Sequence, residues 1–263
     1  MATAIFFHAH PDDECTSTGG TMAKAAADGH RVVLVTATRG EHGEVEPGLL
    51  TEGEALWERR EKELVEACRI LGVARQEYLG YVDSGMMGTP ENDRPEAFWR
   101  ADVDEAGRRL AAILDEEAAD VLTVYDEHGG YGHPDHIQVH RVGFRAAELA
   151  GTPTVYMATM NRDQIRSLME QAAELGIEDP PDLPEEASFG EPEARITTAV
   201  DVAAQIDAKR EAMRAHASQI SDSSFFLAMP AAAYAAAFGT EWYIRVGGET
   251  GEGPTERSLF PDG

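Results

Sequence analysis

Apolar, β-prone runs that alternate with amphipathic helical stretches predict an α/β fold: a Rossmann-like, mostly parallel sheet flanked by helices, with a less regular C-terminal extension. Three observations carry this expectation. The runs at residues 5–10, 31–36, 78–81, 121–125 and 154–157 are each separated from the next by a helical pattern. The first crossover is short and Ala-rich, which makes the opening strand, helix and strand a right-handed parallel unit. Dense polar clusters then follow the first and fourth runs, at the carboxyl ends of strands, where open parallel sheets gather their ligands.

The first strand runs into Pro11, which cannot donate to a sheet ladder, so the strand should stop at about His10. Gly19 and Gly20 lead into a helix over residues 21–27 that Gly29 ends. After the second strand comes a polar loop over 39–53, then a helix over 54–71 with Leu56, Leu64, Ala67, Cys68 and Leu71 along one stripe. On that helix Arg59 reads as a surface residue paired with neighbouring glutamates. The third strand gives way to a polar, Pro-containing loop reaching about Arg94, long enough to cover a site. A helix over 101–118 turns Val103, Ala106, Leu110, Ile113 and Leu114 inward. Pro134 suits the first position of the next helix, with His133 at the cap and Asp135 in the first turn, and that helix reaches Gly151. Beyond residue 160 the periodicity weakens. Residues 177–193 read as a surface excursion rich in Pro and Glu, 200–217 as a helix, 242–246 as a sixth and final strand, and 247–263 as a mobile tail. The expected division is a catalytic core over 1–160 and an extension over 161–246 that completes the pocket within the same domain.

The chain has 263 residues, 43% of them hydrophobic and 27% charged, which suits one large globular domain. Its formal charge of −26, from 48 acidic and 22 basic residues, works against nucleic acid or anionic membrane as a partner, since both require clustered Lys and Arg. No run approaches the ~18 apolar residues of a membrane helix, and the N-terminus lacks the basic flank of a signal peptide. A cytoplasmic location is expected.

His10, Asp12, Asp13 and Glu14 offer one imidazole and three carboxylates, the nitrogen and oxygen ligands that zinc and other divalent ions accept. A solvated acidic turn would read the same way. The second cluster, from Asp126 to His136, adds His128, His133 and His136, with His140 one helical turn beyond His136. A catalytic zinc site uses three protein ligands and keeps a position for water, whereas a structural site favours four ligands and Cys. Cys15 and Cys68 are too few for the latter and read as packing. His8 shares a strand face with His10 and reads as support behind it, while His30 and His42 read as surface or loop residues. The glycines form no G-x-G-x-x-G, which disfavours a dinucleotide.

Ala9-His10-Pro11-Asp12-Asp13-Glu14 and Gly130-Tyr131-Gly132-His133-Pro134-Asp135-His136 together resemble the paired signature of the LmbE-like (PIG-L) N-acetylglucosaminyl deacetylases. The resemblance extends through residues 4–160 and includes Gly40-Glu41-His42-Gly43-Glu44 and Asp83-Ser84-Gly85-Met86. It is nearest to the actinobacterial mycothiol branch, meaning the N-acetylglucosaminyl-inositol deacetylase and the mycothiol conjugate amidase, to which Arg214-Ala215-His216-Ala217-Ser218-Gln219 is also similar. It implies zinc-dependent hydrolysis of an N-acetyl amide on a glucosamine-type sugar conjugate, with one ion per chain and iron(II) or another divalent ion as the alternative to zinc. It places the metal on His10, Asp13 and His136 and makes Asp12 the general base. His133 would be an imidazolium that stabilises the oxyanion or protonates the amine, Asp135 its orienting partner, and Tyr131 a second donor to the oxyanion. Glu44, Arg60 and Asp83 would meet sugar hydroxyls. The expected partner is a small N-acetylated sugar conjugate, and a homo-oligomer is compatible with the sequence.

Two other classes stay open. His8-x-His10 after a first strand also opens metal-dependent TIM-barrel hydrolases, although six strands are counted here rather than eight. A non-catalytic metal- or sugar-binding module would need a missing base or a filled coordination sphere.

Overall fold

In the computed structural model, which describes residues 1–45, 48–177 and 189–260, seven strands form a single sheet. They are β1 (Thr3–His8), β2 (Arg31–Thr36), β3 (Arg75–Tyr78), β4 (Val121–Tyr125), β5 (Thr154–Thr159), β6 (Thr198–Asp201) and β7 (Thr240–Arg245). Their order is β3-β2-β1-β4-β5-β7-β6. The five strands β1 to β5 pair in parallel, whereas β7 runs antiparallel to both β5 and β6. A sheet with β3 and β6 at its two edges excludes the closed barrel.

Among the described residues ten helical segments accompany the sheet: α1 (Asp13–Ser17), α2 (Gly19–Ala27), α3 (Leu56–Leu71), α4 (Val103–Glu116), α5 (Gly129–Gly132), α6 (Pro134–Ala150), α7 (Arg162–Glu170), α8 (Ile206–Ala215), α9 (Phe225–Ala228) and α10 (Ala231–Phe238), besides short 3-10 turns. The central strands read as continuous apolar runs because both faces of the sheet are covered. Ala4 and Phe6 of β1 point to one face, against Met22 of α2, Leu64 and Leu71 of α3 and Met213 of α8. Ile5 and Phe7 point to the other, against Leu110 and Leu114 of α4 and Val139 and Val142 of α6. Phe6 and Phe7 are wholly buried, and each such side chain contributes about 1.5–3 kcal/mol by leaving water.

Several elements differ from expectation, each for a local reason. The third strand lies at Arg75–Tyr78, ahead of the expected 78–81. As an edge strand half-open to solvent it carries polar residues and leaves no apolar run to read. The segment expected to open a helix at 200 is instead β6, and α8 begins only at Ile206. The first acidic cluster turns directly into α1 rather than remaining a loop. The helix α7 had no sequence expectation; Asn161 caps it by accepting from the Asp163 and Gln164 backbone N–H groups (both 3.1 Å).

The tail expected to be mobile is fastened as far as residue 260. The Thr255 and Glu256 N–H groups donate to the Thr197 carbonyl (both 3.0 Å), Leu259 is buried, and Phe260 stacks on His30. Of the Pro- and Glu-rich stretch at 177–193, residues 178–188 lie outside the described residues. At its far end Phe189 is buried, and the Gly190 N–H donates to the Gly130 carbonyl (2.9 Å).

One buried strut fixes the C-terminal third to the core. Glu241 of β7 accepts from the Gly20 and Thr21 N–H groups at the N-terminus of α2 (both 2.8 Å), from Lys209 Nζ of α8 (2.6 Å) and from the Tyr243 hydroxyl (3.2 Å). A carboxylate at a helix N-terminus satisfies donors the helix leaves unpaired and meets its positive dipole end, and Lys209 balances the buried charge. Glu241→Ala should therefore lower stability by about 3–5 kcal/mol, because it strands an ammonium in the core. Denaturant unfolding measures this, and a loss under about 1 kcal/mol would contradict the strut.

Candidate active site

The carboxyl ends of β1 and β4 lie side by side at the point where strand order reverses, the place where open α/β sheets form their crevice. Both polar clusters meet there. The strand β1 ends at His8, short of the expected His10, and His8 is enclosed behind the site. Its Nδ1 pairs with the Tyr125 hydroxyl (2.7 Å) and its Nε2 with the Thr18 hydroxyl (2.8 Å). Burial depresses its pKa to about 4.

Asp12, just before α1, has a φ of 107°. That is the left-handed side of φ, and it costs a non-glycine residue about 1–3 kcal/mol unless the surroundings over-determine it. Here they do. Arg60, buried in α3, donates to the Pro11 carbonyl, to Asp12 Oδ2 (3.1 Å) and to the Gly40 carbonyl (2.9 Å). Gly40 favours glycine because its φ is 70°, and a Cβ there would also meet the guanidinium. From the other side Asp12 N–H donates to Glu14 Oε2 (2.9 Å), and the Asp12 carbonyl accepts from Cys15 Sγ (2.9 Å). Burial raises the Asp12 carboxyl to about 6 even though Arg60 opposes the shift.

On the β4 side, α5 is a single turn and Pro134 starts α6 with His133 as its cap. His133 Nδ1 accepts from the Asp135 backbone N–H (3.1 Å). A backbone N–H can only donate, so Nδ1 carries no proton and the neutral ring keeps its hydrogen on Nε2. Burial, aided by His10 and His136, depresses the His133 pKa to about 4. The imidazolium expected at His133 is thus not favoured, since desolvation outweighs the attraction of Asp135. Nor does the Asp135 carboxylate orient His133. It accepts instead from the Ser84 N–H (2.9 Å), the Ser84 hydroxyl and His10 Nε2 (3.1 Å).

The charges around His10 and His136 bear on a cation. His136 Nδ1 contacts the Gly129 carbonyl at 3.2 Å, and a carbonyl can only accept, so Nδ1 holds a proton and, in the neutral ring, Nε2 keeps the lone pair. That Nε2 is buried, makes no hydrogen bond, and faces Asp13 Oδ1 at 3.2 Å. Such a lone pair against a carboxylate is repulsive, so the contact calls for positive charge between the two atoms, a proton or a cation. Asp13 Oδ2 in turn lies 3.4 Å from His10 Nδ1. Burial alone would lower the His10 pKa, yet Asp83, Asp13 and Asp135 outweigh it and hold it well above its ordinary value. The pocket draws in positive charge, and its donor set of imidazoles and carboxylates fits a divalent cation. His10, His133 and His136 also bring ring nitrogens within 4.8 Å of one another, so His133 stands beside the set of His10, Asp13 and His136. Gly129 has to be glycine because a Cβ would collide with His136.

The other expected site residues sit as follows. Tyr131 on α5 is half-exposed at the rim, its ring 5.0 Å from that of His136 and 6.3 Å from that of His133. Asp83, expected at a sugar hydroxyl, is buried. Its oxygens accept from the Gly85 (2.8 Å) and His42 (3.2 Å) N–H groups, and Oδ1 lies 3.5 Å from His10 Nε2. Arg60 is likewise buried, with both terminal nitrogens committed to loop carbonyls and Asp12, so it clamps the site rather than facing a sugar. Glu44 is exposed, and its carbonyl accepts from Gln219 (3.1 Å). His140 contacts the Tyr125 carbonyl through Nδ1 (2.9 Å), and Arg59 pairs with Glu54 (2.7 Å) as a surface residue. Ser84 and His216 stand within the segments that resemble the family, but the sequence assigns neither a role. His216 Nε2 meets Glu14 Oε1 at 2.6 Å, a contact between residues 202 apart that leaves no periodic trace.

Residues 5–147 match the family described as PIG-L, GlcNAc-PI de-N-acetylase. A 1D-myo-inositol 2-acetamido-2-deoxy-alpha-D-glucopyranoside deacetylase from Thermomonospora curvata is 43% identical over 271 residues, covering 94% of this chain and 91% of the relative. Among solved structures, the N,N'-diacetylchitobiose deacetylase from Pyrococcus horikoshii superposes with a TM-score of 0.59 at 23% identity, covering 93% of this chain and 83% of that one. The 4-carboxy-2-hydroxymuconate hydratase from Pseudomonas putida KT2440 also superposes with a TM-score of 0.59, at 20% identity over 96% and 99% of the two chains, so the fold is shared beyond deacetylases. The match to the family profile, together with a relative of that identity over nearly the whole length, shows that the chain belongs to the GlcNAc-PI de-N-acetylase (PIG-L) family.

Proposed function

We propose that this protein is a zinc-dependent deacetylase that hydrolyses the N-acetyl bond of a glucosamine-type sugar conjugate, with the inositol glycoside of N-acetylglucosamine as its substrate. The carrying observation is the buried His136 Nε2, without a hydrogen bond and 3.2 Å from Asp13, next in the chain to Asp12, whose carboxyl is raised to about 6. The inositol glycoside is favoured because the Thermomonospora curvata relative carries that substrate in its name. No helix among the described residues is long and apolar enough to cross a membrane.

His10, Asp13 and His136 would hold the cation. When bound, a divalent ion supplies Lewis acidity that polarises the amide carbonyl and acidifies water. Asp12 takes a proton from water as the water oxygen bonds to the carbonyl carbon. A carboxyl raised toward neutrality is matched to that transfer and to the return of the same proton. His133 Nε2–H donates to the carbonyl oxygen as it gains negative charge, and Tyr131 closes the rim as a second donor. The C–N bond then breaks while Asp12 passes its proton to the nitrogen, giving acetate and a free amine. Glu44, exposed on the loop after β2, would meet the conjugate's outer hydroxyls.

Three measurements test this reading. His136→Ala should lose most of its bound metal on dialysis while His140→Ala keeps it, and the reverse pattern would contradict the ligand set. Asp12→Asn should keep the metal and lose kcat by the ~10²–10⁴ of a missing general base, so near-normal turnover would remove Asp12 from that role. Amine release assayed in parallel on the inositol glycoside, a mycothiol S-conjugate and free N-acetylglucosamine should give the highest kcat/KM for the first. A higher value for the S-conjugate would make the protein an amidase.

A further inference from the structure

Asp12 N–H donates to Glu14 Oε2 at 2.9 Å, and the other oxygen of the same carboxylate receives His216 Nε2 at 2.6 Å. Both Glu14 and His216 are wholly buried. No other side chain among the described residues makes a hydrogen bond or ion pair with the Glu14 carboxylate, and the His216 ring makes no other hydrogen bond, its Nδ1 being unpartnered. His216 ends α8, and the turn that follows is anchored independently: Ser218 donates from its backbone N–H (3.0 Å) and its hydroxyl (2.6 Å) to Glu63 of α3.

We propose that His216 is a positioning residue for the deacetylation. Through Glu14 it holds the backbone N–H of Asp12, and so sets the left-handed conformation that aims the Asp12 carboxylate. The proposal rests on the reading of Asp12 as the base. The physical reason is the cost of an unpaired buried charge. A carboxylate enclosed in apolar surroundings needs a partner on each oxygen. Without His216, Glu14 would be left with one bare oxygen and would turn to find it a partner. That turn releases the Asp12 N–H. The contacts that remain, from Arg60 and from Cys15 Sγ to the Asp12 carbonyl, do not hold the N–H side, so the strain of a φ of 107° pulls Asp12 toward ordinary values. Arg60 grips Asp12 from its side chain and from the preceding carbonyl, so the residue would stay in the site but lose its aim. Misplacement by about 1 Å can cost ~10²-fold in rate without loss of binding.

The test uses the full-length, metal-loaded protein with the inositol glycoside of N-acetylglucosamine. His216→Leu should lower kcat at least ~10-fold, with KM within about twofold of the parent and bound metal unchanged. His216→Gln should recover most of kcat, because its amide nitrogen reaches the place of Nε2. His216→Asn, whose amide falls short at the place of Nδ1, should not. Should His216→Leu fail to fold, the Gln and Asn pair decides, and equal rates in that pair would overturn the proposal. It is also overturned if His216→Leu turns over at the parent rate, or if its kcat falls only in step with its metal. A crystal structure of His216→Leu, or of His216→Asn where the Leu variant does not fold, gives a readout independent of turnover. Asp12 should have left the left-handed region, and an unchanged φ would refute the proposal. A parent protein that releases no amine would instead refute the deacetylase reading and leave this structural readout to judge His216.

Discussion

Carboxylates crowded around buried imidazoles at the joint of β1 and β4 are the constraint on which the remaining features depend. Asp13, Asp83 and Asp135 all lie within 3.5 Å of His10, and Asp13 also faces His136 Nε2. Desolvation opposes charge in such a place. A unit pair at about 4 Å still gains about 4 kcal/mol at an effective dielectric of 20, and several such pairs converge here. The balance favours drawing a cation in over neutralising the carboxylates. Asp83 shows the same sign: burial alone would raise its pKa, but His10 and two backbone N–H groups hold it well below the usual carboxylate range.

Around that centre the fold is arranged to keep donors and acceptors from turning. Asp135, held by Ser84, fixes His10; Gly129 fixes His136; the Asp135 backbone fixes the tautomer of His133. Partners behind metal-binding histidines set ring orientation in this way. The C-terminal third belongs to the same scheme. Its strands extend the sheet past β5, Lys209 and Glu241 tie it to the start of α2, and His216 reaches the acidic loop. The loops after β2 and β3 hang from this frame through Arg60, Asp83 and Asn92.

The fold and the central residues were legible for reasons that can be named. Buried parallel strands have to be apolar on both faces, so β1, β2, β4 and β5 announce themselves, and the polar residues that follow them fall on the sheet's carboxyl edge. His10, Asp12, Asp13, His133 and His136 are brought together on that account. What stayed hidden depends on long-range contacts or on edges. The polar edge strand β3 and the four-residue β6 have no apolar run. Arg60 looks like any helix-surface arginine until Gly40 and Pro11 fold over it. The resemblance implies Asp135 as the partner of His133, whereas its carboxylate turns toward Ser84 and His10, which lie far away in the chain. Tautomers and desolvation, which decide the state of His133, are properties of packing and are absent from the string of letters.

The most direct test of the charge argument is a crystal structure of the protein grown with zinc, with anomalous diffraction recorded at the zinc edge. A single strong peak is expected about 2.0–2.2 Å from His136 Nε2 and from an Asp13 carboxylate oxygen, with His10 completing the protein ligands. A peak on the opposite edge of His10, between Asp83 and Asp135 and out of reach of His136, would contradict the account.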